Sequence, residues 1–546
     1  MADNPYAKLQ ALIVDDFESF RITLSKMLQE FGVGTVDSVA SSNEALRYCR
    51  SKVYDVILCD QNLGKGKTGQ QVLEVLRHKP NLNSNSLFVL VSAESNKSII
   101  MAAYDYEPDA YLTKPITGQT LGQRLERLFK QRMALAPIYK ALKQQDVGSA
   151  VRLCEAEIAA GSRHASSCQK MLGGMLLQVG DVEKAENVYR HILDIRQLDW
   201  AMLGMAHAKK LQGDSLSAQQ WLEEIIQFNP LCLKAYDMLA AVMAERGDYQ
   251  GQQSILQKAV EISPLSILRQ QELGDVAFRN NDLLGAADAY RKAVKLGENS
   301  CHDNIKFHEN FAHSAIQLAK LDKNIAVSVV RDALRVIADI PLRFGKTNSV
   351  KINALLLESQ LCVALGEARR AEEAMQSAQK IIDADASAVT LDTRVEWVRT
   401  LRELGNRSAS EKIIAELLSE YQDDEEQLQK IDCLLDEPCS SKNKALVAQI
   451  NKDGIAFYEA KSFARAVDCF TSALQDFPQH IGLRLNLIQA LIGHFKQAPE
   501  KPQVATVMQQ TMDYIRKIIP DNHVQFKRFR QLEDLLRKIT SAKSLN

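Results

Sequence analysis

The chain has 546 residues, with 67 lysines and arginines set against 68 aspartates and glutamates for a net charge of −1. That length exceeds one ordinary hydrophobic core and calls for several domains or a repeat array. The balanced charge excludes a whole-chain field directed at nucleic acid or an anionic membrane. No apolar run approaches bilayer-spanning length, and the first residues (MADNPYAKLQALIVDD) carry no basic segment followed by an apolar export core. The ten cysteines are scattered without a CxxC pair or His/Cys ligand spacing, as expected of unpaired thiols in a reducing compartment. A cytoplasmic chain with no membrane segment is the expectation.

Over the first 130 or so residues, short apolar runs alternate with helical patterns. Strands are expected at residues 11–14 (ALIV), 53–58 (VYDVIL), 87–91 (LFVLV) and 110–112 (AYL), with a weaker candidate at 35–39. Between the first two, residues 17–31 place Phe20, Leu24, Met27, Leu28 and Phe31 at helical spacing. Strands this continuously apolar are covered on both faces, so the alternation predicts a parallel, doubly wound α/β sheet. Working residues of such sheets lie at the carboxyl ends of the strands. There the chain has Asp15 and Asp16, then Asp60, Ser92 and Lys114.

Carboxylates converging on one spot repel one another unless a cation sits among them, and a hard divalent ion with oxygen ligands, most simply Mg2+, answers that need. Lys114 opposite would add a second positive charge and Ser92 a hydroxyl donor. Such a set can stabilise a phosphoryl group in transfer to Asp60. Any single acid at a strand end is more often a solvated loop residue, but five residues of suitable type at four strand ends form a pattern.

On these residues, the segment from about 8 to 132 resembles the receiver domain of two-component response regulators, a flavodoxin-like fold. The resemblance implies that Asp60 is the phosphoacceptor, with Lys114 and Ser92 assisting. It also implies that Ser92 and Tyr111, three residues before the lysine, form the switch. It implies Mg2+ held by Asp16, Asp60 and the backbone carbonyl of Asn62, with Asp15 acting through water, and a Lys114–Pro115 bond that is commonly cis. The phosphodonor would be a histidine kinase or a phosphotransfer protein. The chain departs from the family after Asp60: instead of a Met-Pro pair it has Leu63-Gly64, then a longer basic loop, Lys65-Gly66-Lys67, before Gly69. The GKT within that loop invites a nucleotide-binding P-loop reading, but the motif demands glycine where Gln61 stands. An acid at the strand terminus would also repel the phosphates such a loop must wrap. Whether Lys65 and Lys67 meet the incoming phosphodonor is left open.

Past about residue 133 helical periodicity takes over. Gly180, Gly213 and Gly247 recur at intervals of 33 and 34, and Pro230 and Pro264 are 34 apart. In the same frame lie Gly173, Ala185 and Tyr189, then Gly274, Ala286, Tyr290 and Ala293, and near the C-terminus Gly454, Ala466, Phe470, Ala473 and Pro478. The pattern is similar to the tetratricopeptide repeat (TPR), a 34-residue helix-turn-helix unit that stacks into a superhelix. Small residues sit where two helices touch, an aromatic fills the gap, and proline ends the second helix. Weaker matches lie at 351–381 and 392–418, and breaks are expected at 340–349 and 436–444. The expected division is a receiver at 1–132, repeats at 133–435, and further repeats with capping helices at 436–546.

Two other features have plainer readings. His308 and His313 are five apart, about 140° around a helix, and cannot share a metal as an i, i+4 pair does. The basic stretch at 525–539 carries Phe526, Phe529, Leu532, Leu535, Leu536 and Ile539 on one helical face, which favours a capping helix over an RNA-binding arm. No catalytic or DNA-binding motif follows the receiver-like segment. The expected function is a response regulator, not itself an enzyme, whose repeats bind a protein or peptide and modulate partner signalling. That layout resembles auxiliary regulators of proteobacteria. Nucleic acid is not expected as a partner, and a homodimer is compatible. The alternatives are a scaffold indifferent to phosphorylation and an RNA-binding regulator acting through the basic C-terminal helix.

Overall fold

The computed structural model describes residues 6–64, 66–78, 86–93, 97–497 and 502–543; the side chains of 97, 502–506 and 539–543 fall outside the description. Lys65 of the basic loop and the side chain of Ile539 therefore lie outside the described residues.

The N-terminal region alternates strand and helix: β1 (Gln10–Val14), α1 (Glu18–Phe31), β2 (Thr35–Val39), α2 (Ser42–Ser51), β3 (Val56–Asp60), α3 (Gly69–His78), β4 (Leu87–Ser92), α4 (Lys97–Tyr104), β5 (Ala110–Thr113) and α5 (Gly118–Ala134). The five strands are all parallel, in the order β2-β1-β3-β4-β5. This is the doubly wound fold that the alternation predicts. Alternate side chains of the central strands feed two separate cores. Leu12, Val14, Ile57, Cys59, Phe88 and Leu90 pack with α2 and α3. Ala11, Ile13, Val56, Leu58, Val89 and Val91 pack with Leu24 and Leu28 of α1 and with Leu121, Leu125 and Phe129 of α5. Burying each Val, Leu, Ile or Phe among them contributes roughly 1.5–3 kcal/mol, which is why both faces must be apolar. β3 begins three residues later than the apolar run suggests, because Val53 is 67% exposed in the turn that leads into it.

No linker follows the sheet: α5 ends at Ala134 and α6 (Ala136–Lys143) starts two residues on. The rest is helical among the described residues. First come α7 (Val147–Ala159), α8 (Ala165–Gln178), α9 (Val182–Leu193), α10 (Asp199–Leu211), α11 (Ser215–Phe228), α12 (Leu233–Glu245), α13 (Tyr249–Ile262), α14 (Ile267–Arg279) and α15 (Leu283–Leu296). Then follow α16 (Ile305–Leu321), α17 (Lys323–Arg343), α18 (Asn348–Leu365), α19 (Ala368–Ala384), α20 (Leu391–Glu403) and α21 (Arg407–Glu420). The last are α22 (Glu425–Ile431), α23 (Ser441–Glu459), α24 (Phe463–Asp476), α25 (Ile481–Gln497), α26 (Pro502–Ile518) and α27 (Phe526–Lys543). The chain forms two compact units, one of Met1–Leu273 with Lys292–Asp303, the other of Gly274–Arg291 with Asn304–Asn546.

The recurring glycines now have a cause. Gly180, Gly213 and Gly247 follow the first helix of a pair with φ of 84°, 79° and 73°. That left-handed conformation suits glycine at a helix C-terminus. The next residue in each case, Asp181, Asp214 or Asp248, caps the following helix by accepting from the backbone N–H of Lys184, Ser217 or Gly251. Within the pairs, a Cβ on Gly173 would lie 2.5 Å from the Tyr189 ring, and one on Gly454 would lie 2.3 Å from Phe470, so the aromatic fills the space that glycine leaves.

The break expected at 340–349 falls between α17, which ends at Arg343, and α18, which starts at Asn348; Pro341 sits in the last turn of α17. There, the lost N–H costs a single hydrogen bond of a fraying end. In the second unit α27 buries Phe529, Leu532 and Leu536 against α24, α25 and α26, and its Glu533 pairs with Arg516 at 2.6 Å. His308 is buried edge-on against Phe344, whereas His313 reaches Glu396 at 3.4 Å, so the two do not converge.

Candidate functional site

In an open parallel sheet the crevice forms where the strand order reverses, here between β1 and β3. The ends of those strands deliver Asp15, Asp16 and Asp60, whose carboxylate oxygens lie within 4.8 Å of one another. Asp15 is 1% and Asp60 5% exposed, while Asp16 faces solvent. The Asp15 side chain is fixed by the Phe17 N–H, which donates to Oδ1 at 2.9 Å. From the end of β5, Lys114 brings Nζ to 2.9 Å from Asp15 Oδ2 and 3.2 Å from Asp60 Oδ1. The ammonium also lies over the Phe20 ring, 4.2 Å from its centroid.

Burial pushes the Asp60 carboxyl up, Lys114 pulls it back and Asp15 pushes it up again, to about 6. Two buried carboxylates thus share one lysine, a set short of positive charge. A hard divalent cation with oxygen ligands fits this donor set, and the exposed Asp16 leaves the site open on one side.

Ser92 ends β4 and is buried, and its carbonyl accepts from the Lys114 N–H at 2.8 Å. Tyr111 is half-buried on β5 and packs against the core that α2 and α3 share with the sheet. The Lys114–Pro115 bond is cis. Asn62 is exposed two residues beyond Asp60, with its side chain accepting from the Gly64 N–H at 3.2 Å.

The loop after Asp60 turns back on itself. A Cβ on Gly69 would fall 2.2 Å from the Asp60 carbonyl oxygen, so only glycine allows α3 to start this close to the acceptor strand. The Lys67 ammonium of the GKT segment donates to the carbonyl of Asn299, in the turn after α15.

That contact belongs to a larger one, made of residues that the sequence reading did not single out. From α3, Gln71 donates to the Glu298 carbonyl at 3.0 Å. Glu74, 1% exposed, accepts from the Cys301 N–H at 2.7 Å and from the Ser300 hydroxyl. Just past α4, Asp105 pairs with Arg269 of α14 at 2.8 Å, and Arg269 also holds Asp237 of α12 at 2.6 Å. The Arg269 and Asp105 side chains are 9% and 13% exposed; burial pushes the Asp105 carboxyl up against the pull of the guanidinium. Tyr106 stacks on His302, and Glu107 pairs with Lys234. Met101 of α4 packs against Leu233, Tyr236 and Ala259. None of these pairs is close in sequence, and no local pattern announces them.

Residues 11–126 match the family model described as the response regulator receiver domain, and with the fold and the acid cluster this makes the N-terminal region a CheY-like receiver of the two-component class. Chemotaxis protein CheY of Pseudomonas aeruginosa is 28% identical over 123 residues, 22% of this chain and 98% of that protein. Chemotaxis protein CheY-3 of Vibrio cholerae is 25% identical over 123 residues, 22% of this chain and 93% of that protein. Among solved structures, a CheY-like response regulator receiver domain from Methylobacillus flagellatus is 31% identical, covering 22% of this chain and 98% of its own, with a TM-score of 0.20. Among the described residues no helix is long and apolar enough to cross a membrane.

Proposed function

We propose that the chain is a response regulator that accepts a phosphoryl group on Asp60 and passes the signal to its own helical region, which acts as a TPR-type platform for a protein or peptide. The observation that carries this reading is the Asp60 carboxylate, 5% exposed at the β1/β3 crevice with Lys114 Nζ at 3.2 Å. The donor is a histidine kinase or a phosphotransfer protein. An Asp60 oxygen attacks the phosphorus of a phosphohistidine, the P–N bond breaks and the imidazole leaves. Lys114 neutralises charge on the transferring group. Asp15, Asp16, Asp60 and the Asn62 carbonyl would hold Mg2+, which when bound supplies charge neutralisation for the phosphoryl oxygens. Ser92 and Tyr111 then respond as the switch.

The route outward is short. Asp60 begins the loop whose far end, Lys67, rests on Asn299. Tyr111 packs against the same core as Tyr106 and Cys301. A change at the acceptor therefore reaches the contact with the helical region through one loop and one cluster. The helical pairs, with glycine and aromatic facing each other at repeat spacing, support a protein-binding output. Separate catalysis is not part of this reading, and α27, packed into the second unit, gives no support to an RNA-binding arm.

The test is to incubate the full chain with Mg2+ and acetyl phosphate and measure phosphoryl incorporation by intact-mass spectrometry. One phosphoryl group is expected on wild type and none on Asp60→Asn. Incorporation into Asp60→Asn equal to wild type, or none in wild type, would overturn the proposal.

A further inference from the structure

Where α3 meets the turn after α15, three side chains with nitrogen or sulfur donors converge, and phosphoryl transfer does not use them. His78 comes from the last turn of α3, Cys301 and His302 from the turn, and their ligand atoms lie within 4.8 Å of one another. We propose that His78, Cys301 and His302 bind a borderline transition-metal cation of the Zn2+ class, tying the receiver's third helix to the helical region. The site stands independently of phosphoryl transfer to Asp60.

The donor set selects the ion. Two imidazoles and a thiolate suit Zn2+ and disfavour Mg2+ or Ca2+, which take oxygen ligands. Tetrahedral Zn–N and Zn–S bonds of about 2.0–2.3 Å put ligand atoms roughly 3.3–3.8 Å apart, so small side-chain rotations close the set. His78 is exposed and the other two are half-buried, so water can complete a four-coordinate set.

The surroundings hold the donors in place. The turn that carries Cys301 and His302 is fixed by buried Glu74, which accepts from the Cys301 N–H at 2.7 Å. The His302 N–H donates to Ser300 Oγ at 3.0 Å. The His302 ring is stacked on Tyr106, with centroids 5.9 Å apart, and meets the His78 ring edge-on at 5.3 Å. The backbone bonds fix the turn that carries Cys301 and His302, and the Tyr106 contact orients the His302 ring. Burial and a hydrogen bond to Glu74 push the Cys301 thiol up, to about 12, while Lys67 nearby pulls it down. Binding breaks the S–H bond, forms the S–metal bond and releases the proton to solvent, so affinity rises with pH.

The sequence alone hides this site. The Cys-His dipeptide has no second pair at a ligand spacing, and its partner lies more than two hundred residues away.

The test uses the full chain, stripped with chelator and held reduced, in excess Mg2+ to fill the acid cluster. Co2+ is titrated while the thiolate-to-cobalt charge-transfer absorption is followed, and Zn2+ is then added in competition. One equivalent of Co2+ with thiolate absorption, displaced by Zn2+, is expected. His78→Ala, at an exposed position that leaves the fold intact, should weaken binding tenfold or more, and Cys301→Ser should abolish the absorption. Asp60→Asn should change neither, because the acid cluster contributes no sulfur. Absence of thiolate absorption in wild type, or an affinity in His78→Ala equal to wild type, would show that these rings only pack against one another.

Discussion

The receiver and the helical region hold information in opposite ways. In the receiver, single residues at strand ends build the candidate site: Asp15, Asp60 and Lys114 meet because β1, β3 and β5 end on the same side of the sheet. The helical region spreads its specification over repeats, in which a left-handed glycine, an aspartate cap and a glycine-aromatic contact recur with modest energy each. A point change should therefore silence the receiver without unfolding it, whereas the same change in a repeat should cost a little stability and leave the chemistry intact.

Lys114→Met tests the first half of that contrast most severely. The rate of phosphoryl incorporation from acetyl phosphate should fall on the order of 10²-fold or more, as when one preorganised charge partner is removed from a transition state. A rate within a few-fold of wild type would mean that the lysine is structural. At the contact between the two regions, Arg269→Met leaves Asp105 buried without its partner. It should destabilise the first unit by about 3 kcal/mol, at the low end for a buried pair because Asp237 stays 39% exposed. Urea denaturation followed by circular dichroism reads this directly, and an unchanged midpoint would remove the pair from the account.

A pH dependence separates the second unit from the receiver. Burial works to raise the Glu396 carboxyl, but His313, Arg399 and a hydrogen bond from Gln360 prevail and hold it at about 2. A carboxylate depressed on folding stabilises the native state above its unfolded pKa and loses that contribution as pH falls through the folded value. Stability should thus drop between roughly pH 4.5 and 2, and Glu396→Gln should flatten that part of the profile. The smallest effect belongs to the repeats: Asp181→Ala removes one helix cap and should cost about 1 kcal/mol, with phosphoryl incorporation unchanged.

Much of the receiver was legible because its signals are local. Apolar runs of strand length, each followed by a functional residue type, identify β1, β3, β4 and β5 and place Asp15, Asp60, Ser92 and Lys114 at their ends. The repeat frame was legible for the same reason, since Gly180, Gly213 and Gly247 all serve one turn geometry. The break at 340–349 was legible too: α17 ends at Arg343, and Pro341 fits its last turn because a proline there forfeits little. The contact surface was not legible at all. Arg269 reads as one more charged helix residue until Asp105 and Asp237 are seen beside it, and Lys67 reads as one cation of a basic loop until its ammonium is seen on the Asn299 carbonyl. Such pairs are set by tertiary packing and leave no periodic trace.

The central claim is that the state of Asp60 controls how the receiver is held to the helical region. Hydrogen–deuterium exchange on the full chain, with Mg2+ and with or without beryllofluoride, measures this at each segment. The account predicts a change in exchange at residues 297–303 and around Arg269 when the fluoride complex forms, absent in Asp60→Asn. Identical exchange in those segments in both states, with the fluoride demonstrably bound, would contradict it.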